Sequence, residues 1–219
     1  MAGVDELLSW HVHQKLLRVK DALEKNGFRV ILAENRQEAL EKVLALIPPD
    51  ARVGVGGSLT IREVGIIEAL TQRGNEVVHH WVSGISAQER YALMREELNT
   101  DVFLCSSNAI TKDGKLVNVD DCGNRVAAMI FGPRKVIVVA GENKIVRNVE
   151  EAVQRIRGVA APLNARRLGV EVPCAKTGAC VDCKAPKRVC RVTTIIERDL
   201  HQPDPPHITV VLVAERLGF

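Results

Sequence analysis

Four cysteines lie close together in the segment PCAKTGACVDCKAPKRVC, and their spacing indicates metal chemistry. Cys174, Cys180, Cys183 and Cys190 follow the pattern C-x5-C-x2-C-x6-C. Thiolates in a flexible Gly- and Pro-containing loop can wrap a single metal centre, because the cysteines of a C-x-x-C bind from one turn. Zinc sites usually contain two such close pairs, whereas a single pair with looser outer ligands favours a cubane cluster. The segment therefore predicts a 4Fe–4S iron–sulfur cluster, with zinc or no metal as the alternatives.

A glycine-rich turn, GGSLTIRE, is the second stretch that could bind a ligand. An apolar run ends at its two glycines, the second of which is Gly57, and a helical pattern begins around Ser58 and Thr60. Such a strand-to-helix turn exposes backbone N–H groups, which favour an anion. It lacks the Gly-Lys-Ser/Thr ending of a P-loop and the G-x-G-x-x-G dinucleotide fingerprint. The structural alternative is a helix capping box formed by Thr60 and Glu63.

Polar residues also follow two further apolar runs of the chain. Asn108 comes directly after DVFLCSS, and Asn143 and Lys144 come shortly after KVIVVAG. In an open parallel sheet, ligands bind beyond the carboxyl ends of the strands. We therefore expect these residues at the same edge as the glycine-rich turn. The alternative for Lys144 is a solvated surface cation.

The segment NVDDCGNR places Asp120, Asn124 and Arg125 at a turn into a predicted helix. A guanidinium suits bidentate binding of a carboxylate or phosphate. Alternatively, Asp120 or Asp121 caps the helix, and Arg125 pairs with one of them. Together, these patterns predict an anion-binding site formed by Gly57, Ser58, Thr60, Asn108, Asn124, Arg125, Asn143 and Lys144. If the protein catalyses a reaction by itself, Glu63 or Asp120 would be its general base.

The hydrophobic pattern around these residues alternates between helical and strand periods. It predicts helices at 4–26, 36–47, 61–72, 86–98, 125–131 and 149–158, and strands at 28–33, 52–57, 76–81, 101–107 and 135–141. The dipeptide Asp113-Gly114 within ITKDGKLVNV indicates a β-hairpin. Strands that alternate with helices predict an α/β fold with a mainly parallel sheet flanked by helices. The last two apolar runs, 192–196 and 207–214, are predicted to form a closing strand pair.

The length and composition fit a single globular unit with a substantial core. The chain has 219 residues, of which 46% are hydrophobic and 26% are charged, as in soluble globular proteins. We divide it into four segments by their patterns. These are an N-terminal helix, strand and helix that pack on the core (1–48), an α/β core (49–168), a cysteine-rich metal-binding loop (169–191) and a C-terminal strand pair that completes the domain (192–219).

Charge and hydropathy exclude several classes of protein. A net charge of +3 and an aromatic content of 3% argue against nucleic acid as a partner, because such partners are bound through large positive charge and aromatic stacking. No apolar run reaches the length of a membrane span, and the N-terminal residues lack a signal-peptide pattern. The sequence therefore predicts a cytoplasmic protein, in which cysteines are thiols or metal ligands rather than disulfides.

Three stretches resemble one known protein family: GGSLTIREVG at 56–65, the segment 106–146, and VEEAVQRIRGVAAPLNARRL at 149–168. They resemble the lactate-utilization (LUD) domain family, and in particular its short branch, lactate-utilization protein C. The resemblance implies a fold similar to that of ribose-5-phosphate isomerase, glucosamine-phosphate deaminase and the CoA transferases. It also implies that the protein works with iron–sulfur oxidoreductase subunits in the oxidation of L-lactate to pyruvate.

The resemblance and the cysteine spacing together favour an accessory protein or subunit of a cytoplasmic lactate (2-hydroxy acid) oxidation system. In this hypothesis a small anionic metabolite binds at the strand ends, and the four cysteines hold a metal centre. One alternative is a stand-alone isomerase or transferase that acts on a sugar phosphate or a CoA thioester. Another is a non-catalytic interaction module with a structural metal. Association into a homo-oligomer is compatible with each of these hypotheses.

Overall fold

The computed structural model describes residues 3–200 and 206–219. The helices are α1 (Val4–Lys25), α2 (Arg36–Leu46), α3 (Leu59–Glu63), α4 (Ile66–Arg73), α5 (Ala87–Glu96), α6 (Asn124–Phe131), α7 (Val149–Arg155), α8 (Ala161–Arg167) and α9 (Pro173–Thr177). The strands are β1 (Arg29–Ala33), β2 (Val53–Val55), β3 (Val77–His79), β4 (Val102–Cys105), β5 (Ala109–Thr111), β6 (Leu116–Asp120), β7 (Lys135–Gly141), β8 (Ile145–Val146), β9 (Val192–Ile196) and β10 (Ile208–Val213). Within the two described ranges, no helix is both long and apolar enough to cross a bilayer.

Six parallel strands form the main sheet, in the order β1-β10-β7-β4-β2-β3. Strands β7 and β10 lie near its centre and are buried along nearly their whole length, as expected for strands that are covered on both faces. Helices α2 and α4 cover one face through Val43 and Leu70. Helices α1 and α6 cover the other face through Leu16 and Met129. The predicted α/β fold with a mainly parallel sheet flanked by helices is confirmed.

A smaller sheet, in the order β8-β5-β6-β9, contains the predicted hairpin as β5 and β6. At its turn, Gly114 has a φ of +83°, and its N–H donates to the carbonyl of Thr111 at 2.9 Å. A side chain at Gly114 would collide with α1, because a Cβ there would lie 2.6 Å from the backbone of Ala22. The hairpin is therefore packed directly against the first helix.

The predicted pairing of the last two strands with each other is corrected by the structure. Both strands form, but β9 pairs with β6 in the smaller sheet, whereas β10 lies between β1 and β7 in the main sheet. The two strands differ in burial: β10 is buried throughout, whereas β9 has exposed residues along its length. A uniformly apolar strand suits the centre of a parallel sheet, and a partly polar one suits an edge.

The helix predicted at 61–72 is interrupted at Gly65 and forms α3 and α4 instead. Ser58 is the N-cap of α3, where its Oγ accepts a hydrogen bond from the N–H of Ile61 at 3.3 Å. The predicted capping box of Thr60 and Glu63 is wrong. Both side chains bond to the backbone of the last residues of the chain instead.

Candidate functional site

Three neighbouring strands of the main sheet, β2, β4 and β7, end at one cavity. Each continues into a polar turn, and these turns begin at Gly56, Ser106 and Glu142. The cavity has a volume of about 120 Å³. Its polar lining residues are Ser58, Thr60, Ser106, Ser107, Asn108, Asp120, Asp121, Arg125, Lys144, Asn164 and Arg167. The concave site lies where ligands bind in open parallel α/β sheets.

Seven of the ten residues that the sequence analysis assigns to anion binding or catalysis line this cavity. They are Gly57, Ser58, Thr60, Asn108, Asp120, Arg125 and Lys144. The remaining three, Glu63, Asn124 and Asn143, are not part of the lining. The structure therefore brings together residues that are far apart in the chain, while their roles in ligand binding stay predictions.

Lys144 is buried at the cavity wall, with only 3% of its surface exposed. Its Nζ donates hydrogen bonds to Thr60 Oγ1 and Ser106 Oγ, each at 2.8 Å. Within the described residues, no carboxylate pairs with this amine. Burial, followed by the positive charges of Arg155 and Arg125, lowers the pKa of Lys144 to about 7. The alternative of a solvated surface cation is therefore wrong.

Arg125 is buried beside the cavity and bonds to protein acceptors through all of its nitrogens. Its Nε donates to Asp120 Oδ1 at 3.0 Å, and Asp120 Oδ2 accepts from the N–H of Val126 at 3.1 Å. The Nη atoms donate to the Ser106 and Val119 carbonyls and to the side chains of Asn108, Asn118 and Asp120. The structural alternative for Asp120 and Arg125 is thus confirmed. No guanidinium donor is left for a bidentate contact with a ligand, so Arg125 can act on one only through its charge.

Glu63 and Asn143 hold the last residues of the chain in place. Glu63 Oε2 accepts a hydrogen bond from the N–H of Gly218 at 2.6 Å. Asn143 donates to the carbonyl of Gly218 at 3.2 Å and accepts from the N–H of Leu217 at 3.1 Å. The adjacent Phe219 lines the cavity. Glu63 and Asn143 therefore fasten one wall of the cavity rather than face its interior.

The four cysteines of the predicted metal centre line a second, more apolar cavity of about 80 Å³. The N–H of Asp182 donates to Cys180 Sγ at 3.4 Å, and Arg188 donates to Cys190 Sγ at 3.3 Å. Across residues 3–200 and 206–219, no three His, Cys, Asp or Glu side chains are placed so that they could hold one metal ion. The thiols are gathered around one space, and their metal stays a prediction.

The two cavities share part of their walls. Val119 and Val189 line both of them. The same segment of chain also reaches the first cavity through Arg191, whose Nε pairs with Asp121 at 2.9 Å and whose N–H donates to the Asp120 carbonyl at 2.8 Å. The cysteine loop is therefore fastened to the lining of the first cavity.

Comparison with known proteins assigns this architecture to a family. Residues 16–213 match the sequence model of the LUD domain. The chain belongs to the LUD domain family. Its fold is similar to that of a DUF162 family protein from Deinococcus radiodurans, with a TM-score of 0.53 and 17% identity over 92% of this chain and 98% of the other. At this identity the likeness shows the fold alone, and no curated protein matches the sequence.

Two arginines that the sequence analysis missed stack on one indole ring, and one of them, Arg167, lines the cavity of the LUD domain. The guanidinium carbon of Arg62 lies 3.8 Å from the centroid of the Trp81 ring, and that of Arg167 lies 4.7 Å from it. Trp81 packs behind the glycine-rich turn, where a Cβ on Gly57 would lie 3.0 Å from the indole nitrogen. Arg167 falls within the third stretch that resembles the family. Its place in that stretch was a sequence signal for Arg167, although its spacing from the other polar residues did not indicate the cavity.

A buried polar chain supports Trp81 from behind. Its indole nitrogen donates to His80 Nε2 at 3.0 Å, and His80 Nδ1 lies 2.6 Å from Glu97 Oε1. Glu97 is 1% exposed and also accepts the backbone N–H of His80 at 3.0 Å. This chain fixes the indole ring, and the ring in turn orients the two guanidinium groups.

Proposed function

We propose that this LUD domain protein binds a small carboxylate of the 2-hydroxy or 2-oxo acid class, as an accessory protein or subunit of a cytoplasmic lactate oxidation system. The observation that carries the proposal is the buried amine of Lys144. Among the described residues, its hydrogen-bond partners are two hydroxyl groups. A buried ammonium is costly without a counter-charge. A bound carboxylate would supply that charge.

The balance of charge around the cavity supports an anionic ligand. Asp120 pairs with Arg125, and Asp121 pairs with Arg191. Two further cations in the lining, Lys144 and Arg167, have no such carboxylate partner among the described residues. The small volume of the cavity, about 120 Å³, fits a metabolite of a few carbon atoms better than a nucleotide or an intact CoA thioester.

We propose further that the four cysteines hold a metal centre, a 4Fe–4S cluster with zinc as the alternative. The donor chemistry is that of such a centre, because all four cysteines line one cavity, and the thiols would have to move closer together to bind one ion. The N–H of Asp182 and the guanidinium of Arg188 already donate to two of the sulfur atoms, as groups around a thiolate-bound metal do. A bound cluster would supply one-electron redox chemistry next to the carboxylate site, and iron–sulfur oxidoreductase subunits are the expected partners.

Ligand-dependent thermal stability tests the carboxylate site. We expect L-lactate or pyruvate to raise the melting temperature of the wild-type protein and of Lys135→Met, but not of Lys144→Met. Lys135 is a matched control because it lies at the opposite end of β7, where its Nζ donates to the carbonyl of Leu46 at 2.6 Å. Stabilisation by sugar phosphates or CoA thioesters alone would instead favour the isomerase or transferase alternative. No response to any of these ligands would contradict the proposal.

Anaerobic purification followed by iron, sulfide and zinc analysis tests the metal centre. We expect bound metal in the wild-type protein and its loss in Cys183→Ser. Cys122→Ser is the control, because Cys122 is exposed and does not line the cysteine cavity. Metal-free protein with an intact fold would remove this part of the proposal and leave the carboxylate site unaffected.

A further inference from the structure

The amine of Lys144 has hydrogen-bond partners that fix its donor role. Its Nζ donates to Thr60 Oγ1 and Ser106 Oγ, each at 2.8 Å. Each of these hydroxyls directs its own proton to a backbone carbonyl, Thr60 to Leu217 and Ser106 to Ser107, both at 3.4 Å. With their protons turned to these carbonyls, the hydroxyl oxygens are free to accept, and the lysine can provide both hydrogen atoms.

One direction around the nitrogen stays unused by these contacts. A tetrahedral nitrogen that is bonded to Cε and donates two hydrogen bonds has a single position left. In the ammonium form this position is a third N–H, and in the neutral amine it is the lone pair. Because Lys144 lines the cavity, this position is the one open to a ligand there.

The surroundings make both the ammonium and the neutral form of this amine accessible near neutral pH. Burial, then the charges of Arg155 and Arg125, lowers the pKa of Lys144 to about 7, while Glu63 and Cys105 act in the opposite direction. An ordinary lysine, with a pKa near 10.4, is neutral in only about 0.04% of molecules at pH 7. A desolvated lysine next to other cations is the environment in which amines act as nucleophiles.

We propose that Lys144 is a nucleophile that forms an imine with the carbonyl group of a 2-oxo acid bound in the cavity. This inference rests on the proposed carboxylate site and names the chemistry of its ligand. The negative charge of the carboxylate is attracted to the cations of the lining. The adjacent carbonyl carbon is attacked by the lone pair of the amine, in the direction that its two hydrogen bonds leave unused.

The step is balanced without any co-reactant. The neutral amine adds to the carbonyl carbon, so that a C–N bond forms and the carbonyl oxygen becomes a hydroxyl. That oxygen then leaves with both protons of the amine as one molecule of water, and a C=N bond remains. No group is oxidised or reduced, and the carboxylate is unchanged.

Borohydride trapping tests this inference on the full-length protein. The protein is incubated with pyruvate and sodium borohydride, which reduces an imine to a stable secondary amine, and is then analysed by intact mass and peptide mapping. We expect one reduced adduct on Lys144, at least about tenfold more abundant than any on Lys135. Acetone, which has a carbonyl group but no carboxylate, should give little adduct at this position.

Two variants complete the design. Lys144→Arg should lose the adduct, and Lys135→Arg should keep it. If Lys144→Arg does not fold, the wild-type peptide map decides, because Lys135 serves as its internal reference. Equal labelling of the two lysines, or no adduct on Lys144, would overturn the inference. Stabilisation by pyruvate without an adduct would overturn the imine alone, whereas the absence of both would overturn the carboxylate site as well.

Discussion

The pair of Arg125 and Asp120 shows how a buried ion pair can hold the wall of a cavity together. Sequence reasoning placed Arg125 in the anion site because arginine recognises carboxylates well. In the structure its donors are consumed by neighbouring acceptors from β6 and from the turns that follow β4. The guanidinium therefore joins these segments together instead of offering a donor to the cavity.

Removing the acid of this pair should destabilise the protein strongly. Asp120→Asn leaves a buried guanidinium without its counter-charge, and we expect the free energy of unfolding to fall by about 3–5 kcal/mol. Urea denaturation measures this change. Asp121→Asn is the control, because its side chain is 48% exposed in its ion pair with Arg191 and should cost less than about 1 kcal/mol. Similar losses in both variants would contradict the structural role assigned to Asp120.

The free energy of unfolding should depend on pH through the titration of Lys144. Its pKa is about 7 in the folded protein and near 10.4 in the unfolded chain. Between these values the unfolded chain binds more protons, so the contribution of Lys144 to the free energy of unfolding rises with pH. We expect the wild-type protein to gain about 2 kcal/mol relative to Lys144→Met between about pH 7 and pH 9.

Urea denaturation of both proteins at the two pH values measures this gain. The charged and titratable groups that act on Lys144 are Arg155, Arg125, Glu63 and Cys105. Burial raises the pKa of Cys105 to about 12, so ionisation of this thiol in the unfolded chain destabilises the fold at alkaline pH. That effect is present in both proteins and cancels in their difference. A difference that does not change with pH would show that the lysine is not held in the buried state.

At the scale of elements, the hairpin of β5 and β6 connects two residues of the cavity lining. Its first strand follows Asn108 and its last strand ends at Asp120, so the hairpin fixes the separation of these two lining residues. The turn of the hairpin lies against α1, where Asn26 Nδ2 donates to the carbonyls of Asp113 and Gly114, each at 2.9 Å. Helix α1, which contributes no residue to the lining of the cavity, thus helps to position that lining.

Substitution of the turn glycine should test this packing. In Gly114→Ala the methyl group meets the backbone of Ala22 at 2.6 Å, in addition to the strain of a positive φ. Gly84→Ala is a matched control, because Gly84 has a φ of +78° and no atom within 4 Å of the added Cβ. We expect a loss of about 1–2 kcal/mol for the control and a clearly larger loss for Gly114→Ala in urea denaturation. Equal losses would mean that the hairpin does not press on α1.

At the scale of the molecule, most strands of the main sheet could be predicted from the sequence, but the pairing of the last two strands could not. Continuous apolar runs such as KVIVVAG predict buried parallel strands, because both of their faces must be covered. The order in which strands pair cannot be read from such apolar runs. The pattern of β10 shows that it is buried, but not that its neighbours are β1 and β7, which lie far away in the sequence.

The candidate site could likewise be predicted only in part from the sequence. Residues at strand ends, such as Ser58 and Asn108, were identified because the carboxyl edge of a parallel sheet is fixed by topology. Arg167 and Trp81 were missed because their positions depend on how α8 and the loop after β3 pack against that edge. The burial of Lys144 was also not visible in the sequence, since a lysine after a strand is usually solvated.

The position of β10 has a consequence for how the chain reaches its native state. Within the described sheet, β1 has one neighbour, β10, and the paired residues Arg29 and Thr209 are separated by 180 positions (209 − 29). Contacts between such distant segments slow folding, because a long loop must close before they form. During synthesis on the ribosome, β1 therefore cannot pair in the sheet until β10 has been synthesised.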